Sequence, residues 1–293
     1  MRTEIPFEEN LNSGHLACPG CGGSLSMRLA LKALGRKTYL VLTACCWSII
    51  DGPFPYSAVK IPLMHTAFEP AGSASSGVRA ALDILGKKDI TVMAWAGDGG
   101  TFDIGIQALS GAAERNEDFI YSCYDNEAYM NTGIQRSSGT PWGAWTSTTP
   151  ESKGEQKKKM MEIMAAHRIP YAATLSPAYP EDFIRKYKKA KSIKGTKFMH
   201  ILSPCPPGWK TSSEQSIKLS RMAVESGVFP LYEIENGTKY ILNNPTADFK
   251  IKPINEYVSM QGRFRHLNKE QIKFMQENVT AEWQRLLRKT KYA

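Results

Sequence analysis

"GDGGTFDIGIQALSGAAERNEDFIYSCYDNEAYMNTG", residues 97–133, decides the fold. It follows an apolar run, so "ITVMAWAGDGG" (90–100) reads as a strand ending in glycines. Gly97, Gly99 and Gly100 at the carboxyl end of a strand let backbone N–H groups approach an anion. The helix that follows (102–116) turns its positive N-terminus to the same point. Asp98 sits among these glycines. A hard carboxylate beside an anion site calls for a divalent cation bridging the two, and magnesium fits best. The next strand (119–126) delivers Asp125, Asn126 and Glu127 to the same crevice. Asn126 comes 126 − 98 = 28 residues after Asp98, so their side chains can meet at neighbouring strand ends.

Outward from that stretch the elements alternate. Helices are expected at 24–34, with Ser24 as cap, and at 73–86. Strand 38–46 ("TYLVLTACC") lies between them. After residue 126 comes a Gly/Ser/Thr/Pro stretch of a length that is uncommon in a compact domain unless it is functional. Helix 155–167, strand 171–176, helix 180–193, strand 197–203 and helix 213–226 follow. A hairpin at 230–243 turns at Glu235-Asn236-Gly237, and a basic amphipathic helix spans 268–291. Continuous apolar strands separated by helices give an α/β fold, a parallel sheet covered by helices on both faces. No clean linker divides the chain. Residues 1–293 read as a single domain with a C-terminal extension from about 245 to 293.

The 293 residues are 42% hydrophobic and 22% charged, enough to build a core without disulfide staples. No apolar run is long enough to span a membrane, and the first residues lack an apolar signal region. The expected compartment is the cytoplasm, with thiols reduced. Net charge is +9, concentrated at 157–159, 185–197 and 285–292. Solvated helix faces explain such runs. Docking of an acidic partner is the sharper alternative. Nucleic acid finds no interleaved aromatic platform or known motif here.

Six cysteines remain. Cys18-Pro-Gly-Cys21 could hold zinc, shuttle disulfides or hold something else. Zinc wants a second CxxC or paired histidines, and His15, His65, His167, His200 and His266 show no metal spacing. A redox pair lacks the expected flanking Trp. Cys123, inside a strand, reads as a core thiol.

The GDG with Asn after an apolar strand resembles the thiamine diphosphate fingerprint. "YMNTGIQRSSGTPWGAWTSTTP" (129–150), "HTAFEPAGSASSGVRAAL" (65–82) and "CPGCGG" resemble the beta subunits of pyruvate:ferredoxin and related 2-oxoacid:ferredoxin oxidoreductases, over about residues 14–210. The resemblance implies a thiamine diphosphate-binding fold, with Mg2+ held by Asp98, the Asn126 side chain and the Ala128 carbonyl. It extends the cofactor-binding set to Gly97, Gly99, Gly100, Glu127, Tyr129, Asn131, Cys46 and Gly22. Asn131 and His65 become candidate catalytic residues. It also implies one [4Fe–4S] cluster on Cys18, Cys21, Cys46 and Cys205, with Cys45 adjacent and able to compete.

The implied activity is oxidative decarboxylation of a 2-oxoacid, pyruvate first, with coenzyme A taking the acyl group and electrons passing to ferredoxin. The implied partners are an alpha subunit supplying the catalytic Glu and gamma and ferredoxin-like delta subunits or domains. Neither Glu69 nor Glu127 stands where that Glu is needed, so the chain alone is expected to be inactive. Gly23 departs from the Glu that some pyruvate enzymes of the family carry, which opens branched 2-oxoacids or oxalate as substrates. A thiamine-dependent decarboxylase without a cluster, and a non-catalytic binding subunit, are the alternatives that the acidic and cysteine ligands disfavour.

Overall fold

Eight strands form one sheet in the order β2-β1-β3-β4-β6-β5-β7-β8 in the computed structural model, which describes residues 4–243 and 250–291. The strands are β1 (Thr38–Thr43), β2 (Leu63–Thr66), β3 (Thr91–Gly97), β4 (Ile120–Asp125), β5 (Tyr171–Leu175), β6 (Lys197–Leu202), β7 (Tyr232–Glu235) and β8 (Lys239–Leu242). The first six run parallel. The expected hairpin adds β7 and β8 antiparallel at the edge. Asn236 and Gly237 turn it at φ 50° and 71°, a left-handed conformation these two residue types adopt readily.

Strands β4, β5 and β6 are buried at every residue because helices cover both faces. Alternate side chains go to opposite cores. Leu40, Leu42, Met93 and Trp95 pack with α1 (Gly22–Leu34), α2 (Cys46–Ile50) and α6 (Pro180–Ser192). Val41, Val92, Ala94 and Ala96 pack with α3 (Ala71–Ile84), α4 (Ile106–Glu114) and α5 (Met160–Ala166). Each large side chain so buried contributes about 1.5–3 kcal/mol. A third core joins α7 (Pro206–Trp209), α8 (Ser216–Glu225) and α9 (Asn255–Ser259) through Trp209, Leu219, Phe229, Tyr257 and Phe264. Met275 and Val279 of α10 (Lys269–Lys291) pack against it, so the described part of the C-terminal extension lies on the body of the fold. Residues 245–249 and 292–293 of that extension lie outside the described residues.

Several boundaries differ from expectation for local reasons. Helix α1 starts at Gly22, and Ser24 lies in its first turn, donating to the Cys21 carbonyl (2.9 Å) rather than capping. Strand β1 stops at Thr43, since Cys46 already opens α2. Strand β2 was not expected. It is four residues long, too short to show a period, and forms by pairing Leu63–Thr66 with the edge of β1. The helix expected from 102 begins instead as a wide π-type turn, Gly99–Ile104, a feature concentrated at functional sites. Helix α5 is shorter than its expected range because Lys157 and Lys158 turn inward to oxygen partners. The basic runs are largely paired inside the chain: Lys189 meets Glu233 and Glu235, and Lys197 meets Asp118. That weakens the case for them as an acidic-partner dock. Among the described residues no helix is long and apolar enough to cross a membrane.

Candidate functional site

Strands β1, β3, β4 and β6 end at one edge of the sheet, where ligand crevices of open α/β sheets form. Each is followed by a residue singled out from the sequence: Cys46 after β1, Asp98 after β3, Asn126 after β4 and Cys205 after β6. Pairing of Gly97 with Tyr124 and of Asp125 with Leu202 fixes these ends side by side.

Asp98 is fully buried. Ser137 Oγ donates to its Oδ2 at 2.5 Å. Gly139 approaches so closely that a Cβ there would press on the Asp98 side chain and lie 3.2 Å from Asp125 Oδ1. The Tyr129 ring lies over Gly99, where a Cβ would overlap it, and its hydroxyl donates to Asp103 (2.9 Å). The long polar loop is therefore an ordered cover over Asp98. Burial, and then the neighbouring Asp125 carboxylate, push the Asp98 carboxyl well above its usual range.

The Asn126 amide points one terminal atom at both the Ala128 carbonyl (2.9 Å) and Asp98 Oδ1 (3.0 Å). With nitrogen there, it donates to both. With oxygen there, three hard acceptors converge on a point that only a cation relieves, a donor set that suits Mg2+.

Behind this point lies a buried network. Asp125 accepts from His200 Nε2 (2.7 Å) and pairs with Lys157 (2.5 Å). Lys157 also pairs with Glu127 (2.8 Å), whose other oxygen pairs with Arg263 (2.6 Å). Burial raises the Asp125 carboxyl, but Lys157 and His200 outweigh it and hold it below its usual value. Burial lowers the Lys157 ammonium, but Asp125 and Glu127 reverse this and raise it. Glu127 was expected to bind cofactor, but its carboxylate turns into this network. What it offers the crevice is its backbone, at φ 71° between Asn126 and Ala128.

Two cavities adjoin at the edge. One, of about 290 Å³, is lined by Phe68, Gly97, Gly99, Tyr129 and Asn131 among others. The second, of about 270 Å³, is lined by Cys18, Cys21, Cys46 and Cys205. Cys46, Ile49, Tyr124, Asn126, Met130 and Asn131 form their common wall. Cys45 lines the first cavity and not the second, because its side chain caps α2 through Ser48. Burial pushes the Cys46 and Cys205 thiols up to about 12, with the neighbouring thiols adding to it. Among the described residues no three such side chains stand close enough to share a single metal ion. Cys123 is fully buried in β4.

Four expected residues line neither cavity: Asp98 and Glu127, which lie buried behind the first, and His65 and Gly22. His65 lies at the sheet edge on β2, its Nε2 3.3 Å from Asp51 Oδ2. Gly22 instead serves close packing: its N–H donates to the Pro204 carbonyl (2.9 Å), tying the CxxC turn to the Cys205 loop. No glutamate lines either cavity among the described residues. Sequence reasoning missed Ser137, Tyr124, Lys157, Trp209 and Arg263. Ser137 lay within the singled-out loop, and Tyr124 is one residue from a strand end. Lys157 belongs to the basic run 157–159, which reads as a solvated face, and nothing local marks Trp209 or Arg263.

Residues 49–201 match the family described as thiamine pyrophosphate enzyme, C-terminal TPP binding domain. The chain is 55% identical to the ketoisovalerate oxidoreductase subunit VorB of Pyrococcus abyssi, covering 97% of this chain and 94% of the relative. It is 50% identical to the pyruvate synthase subunit PorB of Methanothermobacter thermautotrophicus, covering 97% and 99%. A 2-oxoglutarate:ferredoxin oxidoreductase from Magnetococcus marinus shares the fold, with a TM-score of 0.60 at 23% identity over 75% of this chain and 81% of that one.

Proposed function

The chain belongs to the 2-oxoacid:ferredoxin oxidoreductase family as a beta subunit with a thiamine diphosphate-binding domain, and we propose that it holds the diphosphate cofactor with Mg2+ in the first cavity and one [4Fe–4S] cluster in the second. The observation that carries this reading is the common wall: four of the six cysteines line one cavity that adjoins the crevice beside Asp98 and Asn126.

Thiamine diphosphate, when bound, supplies the electron sink that lets a 2-oxoacid lose carbon dioxide, and a neighbouring cluster accepts electrons singly. The chain's own residues do the rest. Asp98, the Asn126 side-chain oxygen and the Ala128 carbonyl would hold Mg2+, and the backbone at Gly97, Gly99 and Gly100 leaves room for the diphosphate. Ile49, Met130 and Phe68 give the first cavity apolar walls that limit water. Asn131, on the common wall, is placed to orient a polar group of the substrate. Cys18, Cys21, Cys46 and Cys205 would hold the cluster. A body of four irons and four sulfides is wider than one ion, which suits thiols too far apart to share a single metal. Burial raises the Cys21, Cys46 and Cys205 thiols, so assembly there must expel protons.

The proton-handling glutamate comes from a partner alpha subunit, since none lines the cavity among the described residues. Electrons leave through gamma and delta partners to ferredoxin, with coenzyme A as acyl acceptor. Pyruvate is the first reading of the substrate. A branched 2-oxoacid is the second, favoured by Gly23. A side chain there would enter the cluster cavity 3.3 Å from the Tyr124 ring, and its absence leaves that space open.

The test uses the anaerobic complex. Serine at position 18, 21, 46 or 205 should remove or convert the reduced-cluster paramagnetic resonance signal, and Cys45→Ser should keep it. Loss with Cys45→Ser and retention with Cys46→Ser would overturn the ligand set. Viologen reduction with coenzyme A across pyruvate, 2-oxoisovalerate and oxalate ranks the substrates, and no reduction with any 2-oxoacid would overturn the activity.

A further inference from the structure

We infer that Arg263, contributed by the chain beyond β8, is a positioning residue for the turn that presents Asn126 and Ala128. The inference rests on the proposed Mg2+ role of that turn. Arg263 is 2% exposed. Its Nη2 donates to Glu127 Oε2 at 2.6 Å, and its Nε to Gln261 Oε1 at 2.9 Å. Its guanidinium lies 4.1 Å over the Trp209 ring, and Trp209 Nε1 donates to the Asn126 carbonyl at 2.9 Å. One side chain therefore bears on both residues that precede Ala128, on Glu127 directly and on Asn126 through the indole.

The turn needs such a hold. Glu127 is a non-glycine residue at φ 71°, a conformation that persists where the surroundings over-determine it. Thr140 Oγ1 holds the Glu127 carbonyl (2.7 Å) and Lys157 its other carboxylate oxygen. Lys157 is a flexible point charge, whereas the guanidinium is a planar fork with fixed directions. Among the described residues it alone couples the carboxylate to the indole. A metal site must hold its ligands in place before the ion arrives, and residues that orient ligands typically matter about 10–100-fold to affinity.

The experiment measures thiamine diphosphate binding to the assembled complex by equilibrium dialysis with excess Mg2+, alongside cofactor KM, kcat and thermal midpoint. Arg263→Met should raise the dissociation constant about tenfold or more. The cofactor KM should rise in parallel, with kcat within about twofold once cofactor saturates. Arg263→Lys, which restores the charge without the fork, should recover part of the loss. Trp209→Phe keeps a ring under the guanidinium but removes the indole donor, and should weaken binding about fivefold, the value of one hydrogen bond. A lower midpoint with unchanged affinity in Arg263→Met would overturn the inference. Should that variant fail to fold, unchanged affinity in both Arg263→Lys and Trp209→Phe would overturn it. Asp98→Ala, run beside them, separates the two readings. Full cofactor retention there sinks the metal assignment, while its loss there with intact binding in the Arg263 and Trp209 variants sinks only the positioning role.

Discussion

Asp98, just beyond the end of β3, and Glu233, on β7, are both buried carboxylates, and their surroundings shift them in opposite directions. Glu233 accepts from Tyr171 (2.8 Å) and pairs with Lys189 (2.6 Å) and Arg185 (2.9 Å). Burial raises its carboxyl, but those cations overcome it and hold it at about 2. Asp98 is more deeply buried, with one hydroxyl donor and a second carboxylate nearby, and is pushed up. Perturbed groups occur both in structural ion-pair networks and at functional sites. Here the direction separates them. Glu233 finds its positive charge within the chain, so it serves the fold. Asp98 is left short of positive charge in a place shaped around it, the setting that the proposed Mg2+ site requires.

The contrast breaks most visibly at Asp98 itself. Asp98→Ala should strip thiamine diphosphate and Mg2+ from the complex and lower turnover by more than about a hundredfold, beyond the usual cost of losing a residue outside a metal's ligand sphere. The cofactor-free chain should melt no lower than the parent, because a carboxylate that is costly to bury has gone. A variant that purifies with full cofactor would remove the site assignment.

Glu233→Gln should do the reverse. It removes one of two carboxylate partners from Arg185, which keeps Asp182, and from Lys189, which keeps Glu235, and should cost about 3 kcal/mol in urea unfolding, the low end for breaking one side of a buried pair. Its affinity for thiamine diphosphate should match the parent's, and a weakened affinity would blur the distinction drawn here.

A smaller effect follows from pH. The Glu233 carboxyl titrates at about 2 in the fold against an ordinary value of 4.5. Its stabilisation is therefore present above about pH 4.5 and is lost as pH falls toward 2. On the order of 2 kcal/mol should disappear across that window. Unfolding at pH 6, 4 and 2.5 should show the fall in the parent and less of it in Glu233→Gln, and equal losses in both would refute the assignment. Smallest among the four, Asn126→Ala should weaken cofactor binding about tenfold, less than Asp98→Ala, because a neutral amide holds a dication more weakly than a carboxylate. Equal retention in both variants would count against that ranking.

Much of this was legible in the sequence, and particular residues show why. The Gly97–Asn126 stretch is a strand, a helix and a strand with glycines at the first turn. Its local spacing already brings Asp98 and Asn126 to adjacent strand ends. Strand β2 stayed hidden because four residues carry no readable period, and its pairing depends on an edge of β1 that only the folded sheet creates. His65, inside a recognisable stretch, is carried by that strand to Asp51 and away from the cavities.

The sequence by itself determined the alternation of strands and helices, the Asp98–Asn126 spacing and which cysteine types were available, because each is a property of neighbouring residues. Only the tertiary structure decided that Cys46 and not Cys45 lines the cavity with Cys18, Cys21 and Cys205, since the two are adjacent and the turn from β1 into α2 sets where each points. It alone brought Arg263 to Glu127 across 136 residues and laid Ser137 on Asp98 across 39. Such partners leave no local pattern, because a buried charge takes whichever donor the packing of distant segments brings within reach.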